Sequence, residues 1–248
     1  MGVSAQSASW EVPADRKASA VWLGIIWLGM ISGFGADFPS FLHKQPPAAG
    51  ILYAHAVVFA GWLILVTAQV ALVLLGRLRQ HRRLGSIAGY VALLMVPLGV
   101  ATGLTTVAQG RASAGLLALN LLDLLAFIIF IALGLRYRRR PAAHKRLMML
   151  AMVALADPGF ARITKHLLPH PNAPLAAFIS VFYGNLLLLA VMSGWDLWRR
   201  SRVHPALLAG GLSLIGTELL TAFLMFSPAW TAVATHLAHA WGYTGGLP

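Results

Sequence analysis

Seven long apolar runs, parted by short hydrophilic breaks, dominate this chain of 248 residues. A helix needs about 20 predominantly apolar residues to cross a bilayer, and in hydrocarbon a lone apolar segment satisfies its backbone only as a helix. The runs place spanning helices at Ala18–Phe34, Ile51–Leu75, Ile87–Val107, Ala114–Leu135, Leu147–Leu168, Leu175–Leu197 and Pro205–Phe226. The expected fold is therefore all-α, a polytopic transmembrane helical bundle of about seven helices. Asp157, Pro158, Arg162 and Lys165 interrupt the fifth run, which predicts a broken or partly re-entrant segment. Composition agrees, with 58% hydrophobic and 10% charged residues, against about a quarter charged in globular domains.

The formal charge of +12 is concentrated in three breaks. Arg77, Arg79, Arg82 and Arg83 follow the second span. Arg136, Arg138, Arg139, Arg140, Lys145 and Arg146 follow the fourth, and Arg199, Arg200 and Arg202 the sixth. Such clusters answer to the positive-inside rule and to anionic lipid headgroups, not to nucleic acid. They put the breaks and the amino terminus in the cytoplasm and, with seven spans, the carboxyl terminus outside. The expected location is the bacterial inner membrane. Residues 1–17 read as a cytoplasmic tail, 18–228 as the transmembrane domain and 229–248 as an interfacial segment. In that last segment Trp230, Val233, Leu237 and Trp241 share helical spacing. The polar start and the lack of a small-residue cleavage site predict a retained first helix, not a signal peptide.

Small residues mark close packing. Gly85 and Gly89, then Gly99 and Gly103, stand four apart in the third span, with Pro97 between the pairs. In the sixth span Phe178, Phe182, Asn185, Leu189, Met192 and Asp196 alternate spacings of four and three, which predicts its inward face.

With no cysteine, disulfides, thiolate metal sites, iron–sulfur clusters and c-type haem attachment are excluded. Two groups of residues remain as candidates for chemistry. Ionisable groups within a span cost roughly 2.5–3.5 kcal/mol each, so they face the bundle interior and mark function by default. Asp123, Asp157 and Glu218 lie at similar depths, about 12–16 Å from the outer ends of their spans. His55, Trp62 and Gln69 form a stripe on the second span, beside Phe59. The outer half of the bundle is thus expected to hold a polar cluster of His55, Asn120, Asp123, Asp157, Asn185 and Glu218. Asp123 and Glu218 should face each other there, with His55 at the rim and Arg162 as counter-charge. His55, Asp123, Asp157 and Glu218 are the candidate metal ligands. The plainer alternative is that these groups satisfy one another, with Asp157 capping the half-helix that begins at Pro158.

The second group is a weak repeat of histidines where helices begin: His81-Arg82-Arg83-Leu84, His144-Lys145-Arg146-Leu147 and Arg202-Val203-His204-Pro205. Converging at the inner mouth, His81, His144 and His204 would hold b-type haem or a divalent metal, with Arg82 and Arg146 on the haem propionates. The alternative is that they face lipid headgroups.

The segments His55-x6-Trp62-x6-Gln69, His81-Arg82-Arg83-Leu84-Gly85, His144-Lys145-Arg146-Leu147-Met148 and Val203-His204-Pro205 resemble a largely uncharacterised family of bacterial seven-helix membrane proteins. That resemblance spans most of the chain and implies a fold, without catalytic residues. The turn at His144–Met148 is similar, over one hairpin, to membrane proteins that assist cytochrome oxidase assembly. The three histidines resemble those of seven-helix zinc hydrolases of the adiponectin-receptor and ceramidase type, but the seventh span here lacks their paired histidines. Three functions follow as expectations. The first is an accessory or electron-transfer subunit of a respiratory-type membrane complex, with other subunits as partners. The second is a metal-dependent membrane hydrolase, and the third a lipid-binding or proton-coupled carrier.

Overall fold

The computed structural model describes residues 14–43, 49–167 and 174–242. Most of the expected amino-terminal tail, Leu168 at the expected end of the fifth span, and residues 243–248 lie outside them. The described residues form nine α-helices: α1 (Ala14–His43), α2 (Gly50–Leu74), α3 (Leu78–Ala108), α4 (Leu117–Arg136), α5 (Pro141–Ala154), α6 (Asp157–Leu167), α7 (Pro174–Arg200), α8 (Pro205–Met225) and α9 (Pro228–Ala240). One 3-10 turn, Ala114–Leu116, leads into α4. Six helices are long and apolar enough to cross a membrane, and α5 with α6 makes a seventh such unit, bent by 41°. Large apolar side chains face outward around them: Val57, Leu28, Phe223 and Tyr90 are 69–75% exposed. Apolar surface on that scale is matched to lipid, not to water. The chain is a multi-pass membrane protein.

Several helices run beyond their expected ends, two of them for identifiable reasons. α1 continues nine residues past Phe34, through Asp37, because Arg162 and Lys165 neutralise that carboxylate. α3 begins at Leu78 instead of Ile87, since Arg, Leu and Gln are all good helix formers. The three histidines stand at helix starts as expected. His81 and His144 lie in the first turns of α3 and α5, and His204 is the N-cap of α8.

The fifth span is broken where Pro158 has no N–H to offer the Ala154 carbonyl. It nevertheless traverses the bundle. At its start, buried Arg146 is paired to Asp196 near the end of α7. Beyond the break, Arg162 Nε lies 3.1 Å from Asp37 Oδ2 near the end of α1. The rings of His81 and His144 meet at 6.3 Å, so all three arginine-rich junctions gather at one end of the molecule. At the other end, α9 packs beside the end of α8, and the Trp241 indole donates to Thr105 Oγ1 at 3.0 Å. α9 buries Ala234 and Ala238 while Val233, Leu237 and Trp241 stay exposed.

α5 is the central helix. Every residue from Met149 to Ala154 is buried, as befits a segment apolar all round. The predicted face of α7 is the buried one, with Phe182, Asn185, Leu189, Met192 and Asp196 each at most 7% exposed. The glycine reading holds for half of its positions. Gly99 packs on Leu124 and Gly103 on Asn120, whereas Gly89 faces open space and Gly85 makes only ordinary contact with Gln69. The tightest crossing lies elsewhere, where Gly33 of α1 meets the carbonyl of Gly159 in α6 and Gly29 meets Phe160.

Candidate functional site

Three carboxylic acids from three helices converge in the interior. α4 contributes Asp123, the start of α6 contributes Asp157 and α8 contributes Glu218, at 6%, 0% and 1% exposure. Glu218 acts electrostatically on Asp123, and both act on Asp157. All three acids are thus buried and within electrostatic reach of one another. Each side chain is inward for a local reason. Asp123 lies on the buried stripe of α4 with Phe127 and Phe130, and Glu218 on that of α8 with Leu214 and Thr221. Asp157 is held at the break of the fifth span.

Around the acids, Asn185 and Thr221 are fully buried and Asn120 lies against Gly103. Asn185 lies beside Glu218 as its hydrogen-bonding neighbour, while Asn120 Oδ1 has no partner among the described residues. Both Asp157 oxygens and Thr221 Oγ1 are likewise unpaired. A buried polar group without a partner costs about 1–3 kcal/mol, a cost that protonation of a carboxyl or a hydrogen-bonded water relieves.

Two expectations are corrected. Asp157 does not cap α6, because neither of its oxygens accepts a hydrogen bond. Arg162 is not the counter-charge of the cluster. It pairs with Asp37, donates to the Pro158 carbonyl at 2.5 Å and lies 4.2 Å over the Phe34 ring. The His55 ring stacks on Phe59 of the same helix at 3.9 Å. His55, Asp123, Asp157 and Glu218 thus do not form a ligand set, and among the described residues no group of three or more His, Asp or Glu is arranged to hold a metal ion.

At the arginine-rich end the three histidines part company. His144 Nδ1 is 2.8 Å from the Gly134 carbonyl, and His81 faces the His144 ring edge-on. His204 turns instead to the ion pair. Its backbone N–H donates to Asp196 Oδ2 at 3.1 Å, and its Nδ1 accepts from the Ala206 N–H at 3.0 Å. Arg146 is fully buried and doubly bonded to Asp196, with Nε–Oδ2 at 2.9 Å. It is therefore not exposed toward a haem propionate, unlike Arg82. Comparison with known proteins returned no family model, no curated protein and no solved structure that matches the chain.

Burial, followed by the nearby Arg146 guanidinium, pushes the pKa of His204 down from 6.5 to about 4. Between those values the unfolded chain takes up a proton at this position and the folded protein does not. Stability is thus expected to fall as pH drops from 6.5 toward 4. Thermal unfolding of His204→Gln, which keeps an acceptor for the Ala206 N–H, should show a shallower acid loss than wild type. An unchanged slope would remove His204 from the acid response.

Proposed function

We propose that this protein is a proton-exchanging membrane carrier whose working groups are Asp123, Asp157 and Glu218. The supporting observation is that three buried carboxyl groups lie within electrostatic reach of one another, and that among the described residues no basic side chain is paired with them. Three like charges in a low-dielectric interior cannot all persist uncompensated. The cluster must take up either protons or a cationic ligand, and those occupants compete. With the arginine-rich end taken as cytoplasmic by the positive-inside rule, the cluster lies toward the far side of a bacterial inner membrane.

The test uses a hydrophobic carbodiimide, which modifies carboxyl groups only in their protonated form. Labelling of Asp123, Asp157 or Glu218 is expected at mildly acidic pH and should fall as pH rises. Asp123→Asn, Asp157→Asn and Glu218→Gln should keep the protein folded and inserted while removing the corresponding label. No label on any of the three at any pH would overturn the reading.

A second reading, a haem-linked role in a respiratory-type complex, draws on the pair His81 and His144. The Nδ1 of His144 is engaged by a backbone carbonyl, which is how a metal-ligating histidine is commonly oriented. On this reading those two histidines are the ligands and His204 is not. A Soret band in the purified protein that disappears in His81→Ala and His144→Ala but survives in His204→Ala is the expected signature. Protein that stays colourless when haem is supplied would refute it.

A further inference from the structure

Two imidazoles meet at the arginine-rich end, and the free lone pair of each can be assigned. His144, in the first turn of α5, has its Nδ1 2.8 Å from the Gly134 carbonyl, so Nδ1 carries the proton and Nε2 keeps a lone pair. His81 stands in the first turn of α3, where the Gln69 backbone is its hydrogen-bonding neighbour. Its Nδ1 is buried and has no partner among the described residues, so Nε2 is the nitrogen that donates and Nδ1 keeps the lone pair. Each ring is thus held by a backbone carbonyl through one nitrogen and offers the other, the arrangement of a metal-ligating histidine. The ring centres lie 6.3 Å apart, with the planes at 83°.

We propose that His81 and His144 bind one Cu(I) ion between α3 and α5, held in line by His81 Nδ1 and His144 Nε2. Distance decides the geometry. With a ring centre about 1.2 Å from its nitrogen and a metal–nitrogen bond of about 2 Å, two imidazoles on opposite sides of one ion have centres about 6.4 Å apart, against about 5.2 Å at a tetrahedral angle. The observed 6.3 Å matches the in-line arrangement. The number of ligands decides the metal. Among the described residues no group of three or more His, Asp or Glu is arranged to hold an ion, whereas zinc takes at least three protein ligands. Imidazole suits copper, and the monovalent ion needs only two such ligands in line. Charge agrees. Arg82 acts electrostatically on His81, and repulsion from a fixed cation is twice as large for a dication as for a monocation. The inference is independent of the carrier reading. It takes the same two histidines as the haem reading, from which the experiment separates it.

The experiment uses the full chain in lipid nanodiscs, titrated with Cu(I) under ascorbate against a bicinchoninate competitor. One ion per chain is expected, with two nitrogen neighbours and no sulfur in the copper X-ray absorption spectrum. His81→Ala and His144→Ala should each weaken binding about a hundredfold or more, since even partners that only orient a ligand are worth about 10–100-fold. His204→Gln should bind as wild type does. If an alanine variant does not fold, His81→Phe decides in its place, because it keeps an aromatic ring against His144 and removes the lone pair. Zinc bound as tightly as Cu(I), three or more copper ligands, or full binding in the His81 and His144 variants would overturn the proposal. So would protein that takes up haem with a Soret band and leaves Cu(I) unbound, a result that spares the haem reading. Carbodiimide labelling of the acids is read separately, so no outcome here touches the carrier reading.

Discussion

Arg146→Ala is expected to destabilise the protein by about 3–5 kcal/mol, because removing one partner strands the other as a buried charge. Arg146 and Asp196 are both fully buried. The carboxylate accepts two bonds from Arg146 and one from the His204 backbone, and Arg200 lies 3.7 Å away. Asp196→Ala should be at least as damaging, since it also releases the N-cap of α8. In thermal unfolding each loss corresponds to roughly 6–20 °C for a chain of this size. The double change Arg146→Met with Asp196→Leu should recover most of the loss, because a well-packed apolar pair replaces a buried ion pair at little cost. Single variants that melt with wild type would show that this ion pair does not hold α5 to α7.

Gly33→Val should separate α1 from α6. A Cβ at Gly33 would overlap the Gly159 carbonyl oxygen, a backbone atom that cannot rotate away. Overpacking a tight contact costs about 1–3 kcal/mol, and here the loss extends to the Asp37–Arg162 pair that the crossing aligns. Gly24→Val is the matched control on the same helix, since nothing lies within 4 Å of a Cβ there. Thermal unfolding of the two variants side by side decides the matter. Equal stability would mean that α1 and α6 are not held by that crossing.

Periodicity carried much of this architecture. The spacing of Phe182, Asn185, Leu189, Met192 and Asp196 names a face that is indeed buried, and Pro158 with its charged neighbours marks the broken span. Asp123 and Glu218 were legible as interior groups because an acid facing hydrocarbon is costly, and both are buried. Other features had a signal that went unread. Gly29 and Gly33 stand four apart in α1 just as Gly99 and Gly103 do in α3, and they make the closer crossing. Asp37 was missed because the first span was drawn to end at Phe34, which left Arg162 without its true partner. Arg146 has no local signal at all. Its neighbours place it in a basic loop, and only the tertiary fold brings Asp196 to it across fifty residues.

The broken fifth span has a consequence for how the chain is made. Asp157, Arg162 and Lys165 within one short segment carry a heavy penalty for partitioning into lipid, since each central charge costs roughly 2.5–3.5 kcal/mol on insertion scales. α6 is therefore a poor substrate for the translocon on its own. Its two cations are answered by Asp37, which emerged from the ribosome more than a hundred residues earlier. The first helix thus carries the neutralising carboxylate, already made when α6 follows it out of the ribosome.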